Sequence, residues 1–126
     1  IQYNGNTYTV KRLDKFIRAN PHPLADTLVI SEGIEEIGIQ ALIWSAGAVT
    51  YLPTTLKKME GYAFGECWNL CVINLPDTVK IIREKAFCNC ISLEEIILPN
   101  SLERIENGAF LNCKSLKNIK LPEKLK

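Results

Sequence analysis

Apolar side chains recur along this chain at a fixed spacing of 23 residues. The dipeptide Leu-Pro, for example, begins at Leu52, Leu75, Leu98 and Leu121. Other columns, meaning residues one repeat apart, are Ala-Phe at 63–64, 86–87 and 109–110, then Leu70, Leu93 and Leu116, and Ile73, Ile96 and Ile119. A unit of this size cannot bury its own apolar side. The period therefore indicates a solenoid in which successive units stack and share one core.

Within one unit the pattern predicts two short strands and a turn. In the stretch Leu93–Leu98, we expect positions 93, 96 and 98 to point inward and the others outward, until Pro99 ends the strand. Leu102–Ile105 is a second short stretch, and residues 107–113 form a tight turn or 3₁₀ segment. Equivalent strands should pair in parallel about 4.8 Å apart. We expect four to five coils of 22–23 residues with a parallel β-sheet, short second strands and 3₁₀ turns.

The two ends of the chain depart from the repeat. The first copy, from Leu28, matches the later ones once one residue is deleted. Residues 1–23 do not repeat: Asn4-Gly5 is a hairpin signal, and Leu13, Phe16 and Ile17 have helical spacing. We therefore divide the chain into an N-terminal cap at 1–23, a hairpin plus a short helix, and a solenoid at 24–126 whose last repeat is incomplete.

The C-terminal end carries an expectation of its own. The sequence stops at Lys126, before the next Ile, Ala-Phe and Cys positions of the repeat. An uncapped coil exposes apolar core and strand edges, which favours end-to-end self-association. We expect either that the natural chain continues or that two chains cover each other's ends. No signal peptide is recognisable at the N-terminus, which begins at Ile1.

The repeating unit resembles a known family. Written as L-x-x-I-x-L-P-x-x-L-x-x-I-x-x-x-A-F-x-x-C, it is similar to the BspA-like leucine-rich repeat, also called the Treponema pallidum type, over residues 24–126 and most strongly from 48 onward. The resemblance implies an α/β-type leucine-rich repeat solenoid that is right-handed, with a parallel sheet on one side. It also implies a secreted or cell-surface protein that takes part in adhesion and binds host proteins, and no catalytic motif.

Composition and charge exclude several classes of function. Hydrophobic residues make up 47% and charged residues 23%, which is ordinary for a folded globular domain. The 15 Lys and Arg are balanced by 14 Asp and Glu, so no basic excess favours nucleic acid or anionic membranes as partners. No apolar run is long enough for a membrane helix. We therefore expect no nucleic-acid binding and no membrane insertion.

The five cysteines suggest chemistry, but their positions favour packing. Cys67, Cys90 and Cys113 form one inward column, where Cβ atoms about 4.8 Å apart exceed the roughly 3.8 Å that a disulfide prefers. We interpret them as buried free thiols, with a disulfide inside the column as the alternative. Cys71 and Cys88 lie outside the column and should be more accessible. The spacing lacks C-x₂-C pairs, so we expect no metal site. The single histidine, His22, lies between two prolines in the cap and no Gly-rich phosphate loop is present, so we expect no catalytic residue and no cofactor.

Outward positions of the predicted sheet are the candidate partner-binding residues, because solenoids bind through successive repeats. These residues are Tyr51, Val72, Asn74, Glu95, Ile97, Asn118 and Lys120. Three of them are apolar or aromatic where a solvated sheet would be polar, which suits an interface, although isolated exposed apolar residues are normal.

We therefore predict a non-enzymatic protein–protein interaction module, binding a host matrix or cell-surface protein through this face. The alternative is a substrate-targeting repeat domain belonging to a larger enzyme or effector. A third possibility is an architectural element without a ligand.

Overall fold

The computed structural model describes residues 2–3, 6–7, 12–13, 27–43, 48–117, 119–123 and 125. These residues form eleven short strands, connected by turns: β1 (Gln2–Tyr3), β2 (Asn6–Thr7), β3 (Arg12–Leu13), β4 (Thr27–Val29), β5 (Glu36–Ile37), β6 (Val49–Tyr51), β7 (Lys58–Met59), β8 (Val72–Asn74), β9 (Ile81–Ile82), β10 (Glu95–Ile97) and β11 (Arg104–Ile105). The described residues contain no helix, so the predicted α/β-type label does not apply to them.

The larger sheet contains one strand from each coil. Its strands pair in parallel in the order β10-β8-β6-β4. The register aligns Thr27 with Val49, Val49 with Val72, and Val72 with Glu95, so successive coils contain 22, 23 and 23 residues. The chain passes from β4 to β10 in three complete turns. The predicted parallel solenoid with 22–23-residue coils is therefore confirmed.

The second strands form a narrower set of parallel pairs on another side of each coil. One sheet has the order β3-β5-β7, and β9 pairs with β11. A small gap lies between the two sets and is lined by residues of both, including Lys58 and Ile81. The short second strands predicted for each unit are thus present, but they do not form one continuous sheet within the described residues.

The core is a set of stacked columns rather than a central cluster. The predicted inward residues Leu93 and Ile96 are buried, and Leu98 packs against the core while half-exposed. The Phe column stacks through the molecule: Phe64 and Phe87 have ring centroids 5.2 Å apart, and Phe87 and Phe110 are 5.6 Å apart. Interplanar angles of 2° and 4° make these parallel stacks, which add to the stabilisation from burial.

The turns between the second strand and the next coil require left-handed backbone. Two columns have positive φ: Gln40, Tyr62, Lys85 and Gly108, then Glu66, Asn89 and Asn112. Hydrogen bonds between residues three apart in sequence close these turns. For example, the Cys90 N–H donates to the Phe87 carbonyl oxygen at 3.3 Å. These three-residue bonds have the 3₁₀ pattern, although they form turns rather than helical segments.

The N-terminal segment differs in one respect from the sequence expectation. β1 and β2 pair antiparallel, with Gln2 opposite Thr7. Leu13, which helical spacing placed in a short helix, lies in β3 and pairs in parallel with Ile37 of β5. The expectation that Leu13 belongs to a helix is therefore wrong. A segment that does not repeat can still add a strand to an open sheet edge. Phe16 and Ile17 lie outside the described residues, so the division into cap and solenoid stays a prediction.

Candidate functional site

One column on the outward face of the larger sheet is the most apolar exposed feature of the strands. The register places Val29, Tyr51, Asn74 and Ile97 side by side across four strands. Val29 is 65% exposed, Tyr51 57% and Ile97 46%, and Asn74 is also exposed. Side chains on adjacent strands of a sheet are close enough to present one continuous surface. We call these four residues the sheet-face column.

The neighbouring outward column changes in polarity along the stack. Val49 and Val72 are half-buried beside the sheet-face column, and Glu95 is exposed. The predicted site residue Val72 therefore contributes only part of its side chain to the surface. Lys120 is exposed in the coil that follows β10. The predicted residue Asn118 lies outside the described residues, so its position is not assigned.

A cleft brings three of the predicted site residues together. It has a volume of about 570 Å³ and lies between β10 and residues 120–123, with Glu95, Ile97 and Lys120 in its lining. Ile96, Leu98 and Leu121 line the same cleft. Glu123 also lines the cleft, and this mixture of two carboxylates, one ammonium group and apolar surface suits a polypeptide better than a strongly charged ligand.

Val29 is a site residue that the sequence interpretation missed. It precedes Tyr51 by 22 residues and belongs to the degenerate first copy, where the outward column was not extended backward. The signal was present, because Leu28 and Ile30 on either side of it were already matched to later repeats. Extending the 22-residue offset by one position would have identified it.

The cysteines have a structural role in the stack. Each thiol of the periodic column donates a hydrogen bond to a main-chain carbonyl oxygen in the preceding coil: Cys67 to Leu42 at 3.0 Å, Cys90 to Phe64 at 3.1 Å, and Cys113 to Phe87 at 3.1 Å. Cys67 and Cys90 are buried, which confirms the predicted inward column. All five cysteines are free thiols.

The burial of Cys88 corrects the expectation that this thiol is accessible. It was expected to be accessible on the turn, but the structure buries it. The preceding coil has Gly65 in that column, and a Cβ at Gly65 would lie 3.4 Å from the Cys88 Sγ atom, so the missing side chain makes room for the thiol. Burial raises the pKa of the Cys88 thiol, which reduces its reactivity at neutral pH. Cys71 is half-exposed, as expected.

Charged side chains form ion pairs along and within the coils. Arg83 pairs with Glu106 of the next coil, with 3.6 Å between Nη1 and Oε2. Glu60, one repeat before Arg83, pairs with Lys58 at 3.1 Å within its own coil. The exposed Lys57 ammonium lies 2.7 Å from the Glu35 carboxylate, which raises the pKa of Lys57. Such exposed pairs contribute to register more than to stability.

The described part of the chain has no three His, Cys, Asp or Glu side chains placed to share a metal ion. Within the same residues, no helix could span a bilayer.

Solved structures with the same architecture support this description of the fold. A leucine-rich cell surface protein from Faecalibacterium prausnitzii is 25% identical, with a TM-score of 0.81, over 86% of this chain and 29% of its own. A leucine-rich repeat protein from Bacteroides ovatus is 25% identical, with a TM-score of 0.69, over 100% of this chain and 40% of its own. This chain therefore spans less than half the length of either.

The Treponema pallidum leucine-rich repeat protein shares the fold, with 23% identity and a TM-score of 0.59 over 73% of this chain and 56% of its own. No match to a functionally curated protein was found. Residues 35–126 match the BspA-type leucine-rich repeat region in six copies. This match covers more than half of the chain and agrees with the 23-residue period in the stacked coils. The protein belongs to the BspA-type leucine-rich repeat family.

Proposed function

We propose that the chain is a non-enzymatic module that binds a protein partner through the sheet-face column. Its family and fold are those of bacterial surface-type repeat scaffolds, which generally mediate protein–protein interactions without catalysis. The observation that carries the proposal is the exposure of Val29, Tyr51 and Ile97 in one register column of the sheet, in which Asn74 lies between Tyr51 and Ile97.

The physical support lies in the composition of this face. Protein interfaces combine an apolar or aromatic centre with a polar rim, and Tyr is enriched among the residues that dominate binding energy. Tyr51 and Ile97 supply apolar and aromatic surface on either side of Asn74, while Glu95 and Lys120 supply charged groups beside them. The parallel sheet also holds Tyr51, Asn74, Glu95 and Ile97 on paired strands, which limits the entropy lost on binding.

The proposed setting is the bacterial surface or its surroundings, with a host matrix or cell-surface protein as the partner. BspA-type repeat proteins are typically surface-associated, and the F. prausnitzii relative is described as a cell surface protein. Adhesion is the role that such a binding face would serve. Self-association through the last coil is a separate prediction, which sedimentation velocity at several concentrations would test.

The test measures binding to immobilised collagen, laminin and fibronectin by surface plasmon resonance, with Tyr51→Ala and Ile97→Ala variants. For any matrix protein that binds, each variant should weaken affinity by at least about tenfold, the effect of removing a central interface residue. Ile39→Ala is the matched control. Ile39 has the same side chain as Ile97 and is 59% exposed, but it lies on a turn instead of the sheet.

Two results would count against the proposal. If Ile39→Ala weakened binding as much as Ile97→Ala, the sheet face would not be the binding surface. If none of the matrix proteins bound, the matrix would be excluded as the partner. A pull-down from host-cell surface extract with wild-type and Ile97→Ala protein would then decide whether the face binds another protein.

A further inference from the structure

A second surface, away from the sheet-face column, presents an exposed and oriented aromatic ring. Trp68 lies on a turn and is 56% exposed. Its indole N–H donates a hydrogen bond to Glu66 Oε2 at 2.9 Å. This bond satisfies the polar edge of the ring and restricts its orientation, so what remains for a ligand is apolar ring surface. Ile91 lies one repeat further along the stack and is also exposed. We call Trp68 and Ile91 the apolar strip.

A row of polar side chains runs beside this strip. Glu66, Asn89 and Asn112 occupy one column, and all three have left-handed φ values between 58° and 59°. The Asn89 side-chain amide donates to Glu66 Oε1, and the Asn112 amide donates to Asn89 Oδ1 at 2.8 Å. The chain of hydrogen bonds aligns a carboxylate and two amides along the stack, two residues before the column of Trp68 and Ile91. We call these three residues the polar ladder.

The strip and the ladder together match the chemistry of a sugar ring. A pyranose has a face of C–H groups, which packs on the electron-rich face of an aromatic ring, and an edge of hydroxyl groups that both donate and accept hydrogen bonds. Carboxylate and amide groups held in a network offer both kinds of partner without the cost of ordering them on binding. We propose that Trp68, Ile91 and the polar ladder form a binding site for a neutral oligosaccharide.

The size and the charge of this surface favour a glycan over a protein. A stable protein interface buries about 800 Å² per partner and involves 20–30 residues. Two exposed apolar side chains beside three polar ones are enough for two or three sugar rings and too few for such an interface. Lys114, which follows Ile91 in the same column, offsets the charge of Glu66, so the surface has no cationic excess that would select sulfated glycans.

The test uses tryptophan fluorescence, because the chain contains two tryptophans. A Trp44→Phe variant leaves Trp68 as the sole reporter. It is titrated with maltotriose, cellotriose, mannotriose, galactotriose and tri-N-acetylchitotriose. At least one trisaccharide should give a saturable change in emission. Affinity, measured by isothermal calorimetry, should fall about 10- to 100-fold when Trp68→Ala is added, which is the size of effect expected for a lost stacking partner.

Matched variants separate this site from the sheet face and from general damage to the fold. Ile97→Ala should leave sugar affinity unchanged, whereas Asn89→Ala should weaken it while leaving the circular dichroism spectrum intact. The proposal is overturned if no trisaccharide changes the emission, or if calorimetric binding survives Trp68→Ala. It is also overturned if Trp68→Ala abolishes binding to enzymatically deglycosylated laminin or fibronectin, because Trp68 would then contact the protein and not a glycan.

Discussion

The stacked phenylalanines allow the repeat architecture to be tested at one side chain. Phe87 is fully buried between Phe64 and Phe110, at centroid distances of 5.2 and 5.6 Å. Replacing a buried Phe with Ala costs about 3–5 kcal/mol. Each stacked pair adds about 0.5–1.5 kcal/mol. We therefore expect Phe87→Ala to lower the free energy of unfolding by about 4–8 kcal/mol, a large part of the roughly 5–15 kcal/mol typical of a domain.

The more specific part of this prediction is that the loss of unfolding free energy differs between positions along the stack. Phe110 is half-exposed and the structure shows it stacked on Phe87, so Phe110→Ala should cost about half as much as Phe87→Ala. Urea unfolding followed by circular dichroism measures both variants. If Phe87→Ala does not fold, Phe87→Leu, which keeps most of the volume and loses both stacks, should cost about 1–2 kcal/mol. Equal losses at Phe87 and Phe110 would refute the stacked-column account.

Three further predictions follow from named contacts. Cys90→Ala should lower the free energy of unfolding by about 1–2 kcal/mol in urea titrations, and Cys90→Ser by less, because Ser keeps a donor for the Phe64 carbonyl oxygen. The urea midpoint should fall from pH 7 to pH 9.5, and fall less in Cys88→Ala, because the raised pKa of Cys88 keeps the folded thiol protonated while the unfolded thiol ionises. Gly61→Ala should cost about 1–3 kcal/mol by the same assay, because its Cβ would lie 3.0 Å from the Glu84 carbonyl oxygen.

The period was enough to predict the core, because every inward column needs an apolar residue in each coil. Leu93, Ile96 and Cys90 could be assigned as inward from spacing alone, and each is buried. Burial at the turns could not be predicted in this way. Cys88 has no periodic partner of its own type, and its burial depends on the glycine that the preceding coil places against it.

The N-terminal segment shows a different limit. Leu13 has helical spacing with Phe16 and Ile17, but the open edge of the second sheet pairs it with Ile37 instead. Short-range spacing does not record which sheet edge lies nearby, so tertiary pairing overrides the local pattern. Val29 was overlooked for a different reason, since the outward column was not extended backward into the degenerate first copy.

The most direct test of the proposed binding face maps where a partner touches the chain. Amide NMR shifts of isotope-labelled protein are recorded while an unlabelled binding protein from the matrix or cell-surface screen is added. The account predicts that the largest changes cluster on β4, β6, β8 and β10, at Val29, Tyr51, Asn74 and Ile97. Changes confined to the turns at residues 84–92, with these four strands unaffected, would contradict it.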